Sequence, residues 1–334
     1  MDHKQQPINN KPFYREAHIQ YLLSLENSKD LESIGYYLSE HLRLGGAYWS
    51  INALKCLKVE LPEEKRLQLI SWVKSCQNED GGFGGNILHD SHLTSTHYAV
   101  LVLILLKALQ EIDAEKVVQY IKTLQKEDGS FMGDKWGEVD TRFSYCGLSC
   151  LALLNRLEEV NVKKACEFVL LCRNFDGSFG GQPDAESHGA YVFTGVGALK
   201  IGGFLNSIDK DALGYWLSER QTSKGGFNGR PEKLADVCYS WWIFSAFKMI
   251  KRQQWIDCGN LEQFIIDCQD EKGGIADRPD NCVDVFHSFF GIAALSLLDG
   301  EKYQLDQIDP TFALPKSVLR NQFQHLVYLV DDDC

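Results

Sequence analysis

The 334-residue chain lacks any run of about 20 uninterrupted apolar residues, the length a bilayer-spanning helix needs. Its most apolar stretch, Tyr98 to Leu109, is broken at Lys107 and is too short. No signal-peptide pattern precedes it, because residues 1–12 are polar. An excess of basic charge is also missing. Lys and Arg number 34 against 46 Asp and Glu, a formal net charge of −12. That balance disfavours a general nucleic-acid surface and favours solubility, while leaving room for a local basic site. The 11 cysteines are odd in number and sit mostly inside apolar helical runs, as reduced thiols of a cytoplasmic protein do. Cys76, Cys166, Cys172 and Cys268 read as small core residues. With 44% hydrophobic residues, the chain can bury a large core without disulfides.

A repeat is plainly present. Gln77-Asn78-Glu79-Asp80-Gly81-Gly82-Phe83 and Gln125-Lys126-Glu127-Asp128-Gly129-Ser130-Phe131 are nearly the same, and the pattern recurs ending at Phe179, Phe227 and Ile275, in steps of 48 residues. A second frame with the same step runs Trp49, His97, Tyr145, Phe193, Trp241 and Phe289. Each unit reads as a helix ending near Gln, a Gly-rich turn, and a second helix. Val117 to Leu124 is amphipathic, whereas Phe143 to Leu154 has no charged residue and should be buried on all sides. The expected fold is all-α: six helical hairpins closing into an α/α barrel, apolar helices inside around a central apolar cavity. An open solenoid is the alternative, disfavoured because neither end shows a polar capping repeat. The expected division is a polar tail at 1–15, one barrel domain over 16–330, and an acidic tail at 331–334. Aromatics of the second frame would form one level of the wall, or equally an ordinary core. His97 interrupts them and is expected to point away from the cavity.

Polar residues follow the same step at the starts of the inner helices. Asp140, His188, Asp236 and Asp284 form one frame; Phe143, Tyr191, Tyr239 and His287 form another. Their side chains should meet at one mouth of the barrel. The plain role for the carboxylates is helix capping, the one preferred for Asp140. Asp236, Cys238 and His287 offer carboxylate, thiolate and imidazole, three ligands suited to a zinc site with one open position. By spacing alone, separate capping and core roles serve as well. A Cys238–His287 nucleophilic pair is a weaker alternative. His188, Arg230, Lys233 and Tyr239 would suit a phosphorylated anion, or else pair with Glu186, Glu232 or Asp236.

At this point the sequence resembles a known family. Gly229-Arg230-Pro231-Glu232-Lys233-Leu234-Ala235-Asp236-Val237-Cys238-Tyr239-Ser240-Trp241-Trp242 is similar to the zinc and diphosphate segment of protein prenyltransferase β subunits. So are Glu186-Ser187-His188, the stretch from Trp136 to Ser144, and Asp277-Arg278-Pro279 leading to Asp284-Val285-Phe286-His287. The resemblance covers about residues 16–317. It looks closest to the Rab geranylgeranyltransferase branch, partly through Gly45 in Gly45-Gly46-Ala47-Tyr48-Trp49. Val285 departs from the family pattern, which has Pro there.

The resemblance implies a zinc-dependent transferase. Asp236, Cys238 and His287 would hold Zn²⁺, and the fourth position would take the thiol of a substrate protein as thiolate. His188, Arg230, Lys233 and Tyr239, with Gly189 and Ala190 beside them, would bind geranylgeranyl diphosphate and stabilise charge on the leaving diphosphate. The isoprenoid would run past Gly45, Tyr48, Trp49, Tyr145, Trp241, Trp242 and Phe289, with Arg142 and Ser240 also in the substrate site. Asp277 matches a position linked to Mg²⁺ use in the farnesyl branch, so Mg²⁺ is admitted as a second ion. Asp284 would orient His287 or cap its helix. The implied partners are a helical α subunit, a Rab escort protein and a Rab-type GTPase. Farnesyl or type I geranylgeranyl transfer is the near alternative. A non-catalytic peptide-binding barrel and a terpene cyclase are the others, although a cyclase's Asp-rich acid motif is absent.

Overall fold

The structure, a computed structural model, describes residues 11–25 and 39–330. The acidic tail read at 331–334 lies outside them, as does most of the N-terminal tail. Among the described residues, twelve helices alternate between two layers. They are α1 (Arg15–Ser24), α2 (Arg43–Cys56), α3 (Glu63–Ser75), α4 (Leu93–Leu105), α5 (Ala114–Leu124), α6 (Thr141–Leu153), α7 (Val162–Leu171), α8 (Gly189–Ile201), α9 (Lys210–Ser218), α10 (Val237–Ile250), α11 (Cys258–Asp267) and α12 (Val285–Asp299). The even-numbered helices form the inner ring. Each packs on the next, and α12 packs back on α2. The barrel is therefore closed, and the open-solenoid alternative is set aside.

Turn chemistry explains both the period and the closure. Gly81 has φ +91°, and a Cβ there would lie 2.2 Å from the Lys116 carbonyl oxygen at the start of the next outer helix. Only glycine satisfies both demands. Four turns later Gly273, φ +97°, makes the same approach to the Ala17 carbonyl of α1. The turn glutamines repeat the lesson. Gln221 accepts from Asp257 N at 2.9 Å and donates to Asp257 O at 2.8 Å; Gln269 accepts from Tyr14 N at 3.1 Å and donates to Pro12 O at 2.7 Å. Residues 12–15, assigned from sequence to the tail, thus belong to the barrel and latch its first hairpin onto its last. His18 completes the latch. Its Nδ1 accepts from Gly274 N at 2.9 Å, and Nε2 lies 3.1 Å from Gln269 Oε1.

The second aromatic frame forms a belt inside the ring, with one change of register. His97, Tyr145, Phe193, Trp241 and Phe289 follow each other at centroid separations of 5.6, 5.2, 6.1 and 6.5 Å. The next ring is Tyr48, 5.3 Å from Phe289, and not Trp49. Tyr98, stacked on Tyr48 at 5.2 Å and facing His97 at 6.4 Å, closes the circuit. His97 therefore does not point away. It is buried in the belt, its Nε2 satisfied by Ser149 Oγ at 3.1 Å, and burial drives its pKa down to about 3, so it is neutral there. Trp49, Tyr98, Trp242 and Phe286 are half-buried and form a second group, with Trp49 5.8 Å from Tyr98 and 4.9 Å from Phe286, and Phe286 6.0 Å from Trp242.

Beyond the belt a segment outside the repeat makes a floor. The Tyr48 hydroxyl and Asn52 Nδ2 both donate to Ala313 O at 2.7 Å. Tyr145 donates to Thr311 O at 2.7 Å, and Phe312 is fully buried between them. Among the described residues, this floor covers the end of the ring where the helices finish, and the other end, where they begin, is its mouth. No helix among the described residues is long and apolar enough to cross a membrane. Cys76, Cys166, Cys172 and Cys268 are buried free thiols, as expected.

Candidate functional site

The open end is organised by helix capping. His92, Asp140, His188, Asp236 and Asp284 cap α4, α6, α8, α10 and α12, each accepting a backbone N–H of the first turn. His92 belongs to the same 48-residue frame and was missed from sequence. Capping holds these side chains at the mouth and fixes their orientation. A cap can still do chemistry with its remaining atoms.

Asp236 does so. Its Oδ1 accepts from Cys238 N at 2.8 Å and faces His287 Nε2 at 3.3 Å across the α10–α12 contact. One donor atom each from Asp236, Cys238 and His287 lies within 4.8 Å of the others. Asp284 Oδ2 sits 2.6 Å from the other ring nitrogen, Nδ1 of His287. Burial opposes a charge on His287, yet its bonds to Asp236 and Asp284 overcome this and raise its pKa to about 9. Burial and then the neighbouring Asp236 carboxylate push the Cys238 thiol well above its ordinary range. Two carboxylates and a buried sulfur around one imidazole form a group short of positive charge. A divalent cation would supply it by displacing the proton from His287 and from the thiol. The donor set fits a zinc-type site with an open fourth position, its histidine braced by a carboxylate.

A second group lies one inner helix away. The Nδ1 atom of His188 accepts from Ala190 N at 3.2 Å, and its Nε2 is 3.2 Å from the Tyr239 hydroxyl. Because Nδ1 is an acceptor, the neutral ring carries its proton on Nε2 and donates it to the Tyr239 oxygen. The phenolic O–H is then free to aim at a ligand in the mouth. Burial, and then the charge of Arg230, lower the pKa of His188, which favours the neutral ring. Burial raises Tyr239 to about 12, so it keeps its proton. Arg230 reaches the rim and pairs with Glu186, the ion-pair alternative read from sequence. Lys233 is exposed, with no carboxylate partner among the described residues. Gly189 allows α8 to approach α10 closely: a Cβ there would lie 3.0 Å from Ile243.

Other candidate residues separate. Gly45 lies against the upper wall, where a Cβ would meet Trp49 and Tyr98 at 3.3 Å. Trp242 packs on Tyr239 at 5.5 Å and on Phe286 at 6.0 Å, which joins the polar mouth to the aromatic wall. Arg142 is at the mouth but held by Asp140 Oδ2 at 2.8 Å and Glu138 Oε1 at 3.0 Å. Ser240 is fully buried, in the frame of Thr96 and Ser288, whose hydroxyls accept the backbone N–H of Phe83 and Ile275. Both carboxylate oxygens of Asp277 are engaged, by Asn281 Nδ2 and Arg278 Nη2, each at 2.8 Å.

Known proteins are similar to this chain in sequence and in fold. "Probable geranylgeranyl transferase type-2 subunit beta" of Dictyostelium discoideum is 52% identical over 89 residues, 27% of this chain and 25% of that protein. "Geranylgeranyl transferase type-2 subunit beta 1" of Arabidopsis thaliana is 49% identical over 89 residues, 26% of each. The matched stretch thus spans about a quarter of these relatives' length. Candida albicans protein geranylgeranyltransferase-I, solved in complex with GGPP, superposes with a TM-score of 0.82 at 20% identity, over 96% of this chain and 99% of that one, a likeness of fold. The family model named Prenyltransferase alpha-alpha toroid domain matches residues 13–314, from the latch to the floor of the barrel. With that match over nearly the whole repeat array, the chain belongs to the prenyltransferase alpha-alpha toroid family.

Proposed function

We propose that this chain is the β subunit of a protein geranylgeranyltransferase that moves a geranylgeranyl group from its diphosphate to a cysteine thiol of a protein substrate. One observation carries the reading. The donor set Asp236, Cys238 and His287 opens onto the same mouth as His188, Tyr239 and Arg230, above a wall of half-exposed aromatic rings.

Asp236, Cys238 and His287 would hold Zn²⁺, which when bound favours the thiolate form of an incoming cysteine. The chain's own residues do the rest. Trp49, Tyr98, Trp242 and Phe286 take the isoprenoid, and Trp242, packed on Tyr239 at 5.5 Å, keeps water from C1. The incoming sulfur bonds to C1 as the C1–O bond to the diphosphate breaks. Arg230 and Lys233 meet the charge growing on the leaving diphosphate, and Tyr239 donates a hydrogen bond to it. His188 fixes the phenol. Mg²⁺, if used, would reach the diphosphate more readily than Asp277, whose oxygens are already bonded.

We infer a Rab-type GTPase as the protein substrate, with an α subunit and an escort protein as partners, from the motif resemblance to the Rab geranylgeranyltransferase branch; the relatives carry the name of type-2 β subunits. The decisive experiment is zinc content and prenyl transfer by this chain co-expressed with an α subunit. About one zinc per β chain is expected, lost together with transfer in His287→Ala and Cys238→Ala while geranylgeranyl diphosphate still binds. Full zinc occupancy in both variants would return the barrel to a binding role.

A further inference from the structure

Glu186 puts a negative charge where the mouth should attract one. Its carboxylate pairs with Arg230 across the gap between two successive rim loops. Asp90 and Lys135 make a similar loop-to-loop pair at 3.8 Å two repeats earlier, so pairs of this kind can simply staple the rim. The two pairs differ in their surroundings. Lys135 lies over the exposed Trp136 ring, away from His188 and Tyr239. Arg230 directly follows Gly229, whose carbonyl accepts from Gly189 N at 2.8 Å beside His188 and where an added Cβ would lie 2.3 Å from the Tyr239 ring. Glu186 therefore holds the cation that stands beside the hydrogen-bonded His188–Tyr239 pair. Both partners are accessible, with side chains 38% and 61% exposed for Arg230 and Glu186. Exposed pairs of this kind are weak and exchange readily.

We propose that Glu186 is an internal competitor for the diphosphate: it occupies the Arg230 guanidinium in the empty site and is displaced when a diphosphate enters. The inference rests on the diphosphate assignment above. In the unliganded mouth the pair keeps Arg230 from binding stray anions. With diphosphate bound, Glu186 is left near a like charge, which speeds release of pyrophosphate after transfer. A residue that only oriented Arg230 would act in the opposite direction, since its removal would weaken diphosphate binding.

The test titrates the zinc-loaded heterodimer with inorganic pyrophosphate and with geranylgeranyl diphosphate, comparing wild type, E186Q, R230Q and the double variant. E186Q should bind both ligands roughly two- to fivefold more tightly, the range an exposed pair supports. The gain should vanish in the R230Q background, and E186D should stay near wild type. D90N, which removes the other loop staple, should leave pyrophosphate affinity unchanged. Unchanged or weaker binding by E186Q overturns the proposal, as does a gain that survives R230Q or appears equally in D90N. A wild-type enzyme that binds neither ligand would overturn the diphosphate assignment itself, and this inference with it.

Discussion

Asp284 grips His287 twice: Oδ1 accepts the His287 backbone N–H at 2.9 Å, and Oδ2 faces the ring Nδ1 at 2.6 Å. One carboxylate thus caps α12 and sets which ring nitrogen faces Asp236. Asp284→Asn should keep most of the cap but weaken the ring contact, and lower zinc affinity by roughly 10- to 100-fold. Asp284→Ala should lose in addition about 1 kcal/mol of stability from the cap. Zinc affinity by competition with a chelator checks the first, and denaturant unfolding the second. Wild-type zinc affinity in Asp284→Asn would reduce Asp284 to a cap.

The fold was legible because every repeat solves one local problem in one way. Each Asp-Gly turn must meet the next outer helix, and the glycine and glutamine that allow it mark a strict period. The same regularity concealed the site. Asp236 looks like one more cap beside Asp140 and His188, and it is one. Cys238 and His287 stand out because they break their frames, where Arg142 and Ala190, or Phe143, Tyr191 and Tyr239, would set the pattern. Two features lay outside the period and so outside sequence reasoning. The first inner helix is turned so that Tyr48, and not Trp49, joins the belt, because its hydroxyl is tied to Ala313. The floor itself comes from a non-repeating segment.

Arg230 and Lys233 are assigned to charge that is largest in the transition state, so their removal should act mainly on turnover. Arg230→Ala should lower kcat on the order of 10²-fold, with a smaller change in the affinity for geranylgeranyl diphosphate. Lys233→Ala should act in the same direction. Single-turnover rates at saturating lipid diphosphate separate the two effects. Wild-type turnover in either variant would remove that residue from the mechanism.

Closure of the barrel should depend on pH through His18. Its Nδ1 accepts a backbone N–H, so a second ring proton would set donor against donor at Gly274. Burial lowers its pKa from 6.5 to about 4, against a smaller opposing effect of Gln269. A depressed histidine favours the neutral form in the folded state. Its contribution is therefore complete above pH 6.5 and is lost as pH falls toward 4, about 3 kcal/mol in all. His18→Gln should be less stable at pH 7.5 but lose less between pH 6.5 and 4.5. Parallel stability curves for the two proteins would exclude His18 as the titrating latch.

Gly45 should set the preferred lipid length. It lies on the first inner helix one turn before Trp49, and a Cβ there would already press at 3.3 Å on Trp49 and Tyr98. A methyl can be absorbed by small ring shifts, so Gly45→Ala should keep the wild-type preference. A tryptophan cannot, and must take space from the aromatic wall where the end of a long isoprenoid would rest. A geranylgeranyl chain exceeds a farnesyl chain by one five-carbon unit. At about 0.8 kcal/mol per buried CH₂, that unit contributes a few kcal/mol when it fits. Gly45→Trp should therefore bind farnesyl diphosphate about as well as wild type and lose much of its geranylgeranyl affinity. Zinc content should be unchanged, since Gly45 touches no ligand of the Asp236–Cys238–His287 group. Glycine at a helix start also aids close packing, and that role alone would lower stability without altering the ratio of the two lipids. Competition between the two diphosphates on folded, zinc-loaded Gly45→Trp decides. A variant that still selects the longer chain would move the length gauge down to the belt, to His97 and Tyr48 above the Ala313 floor.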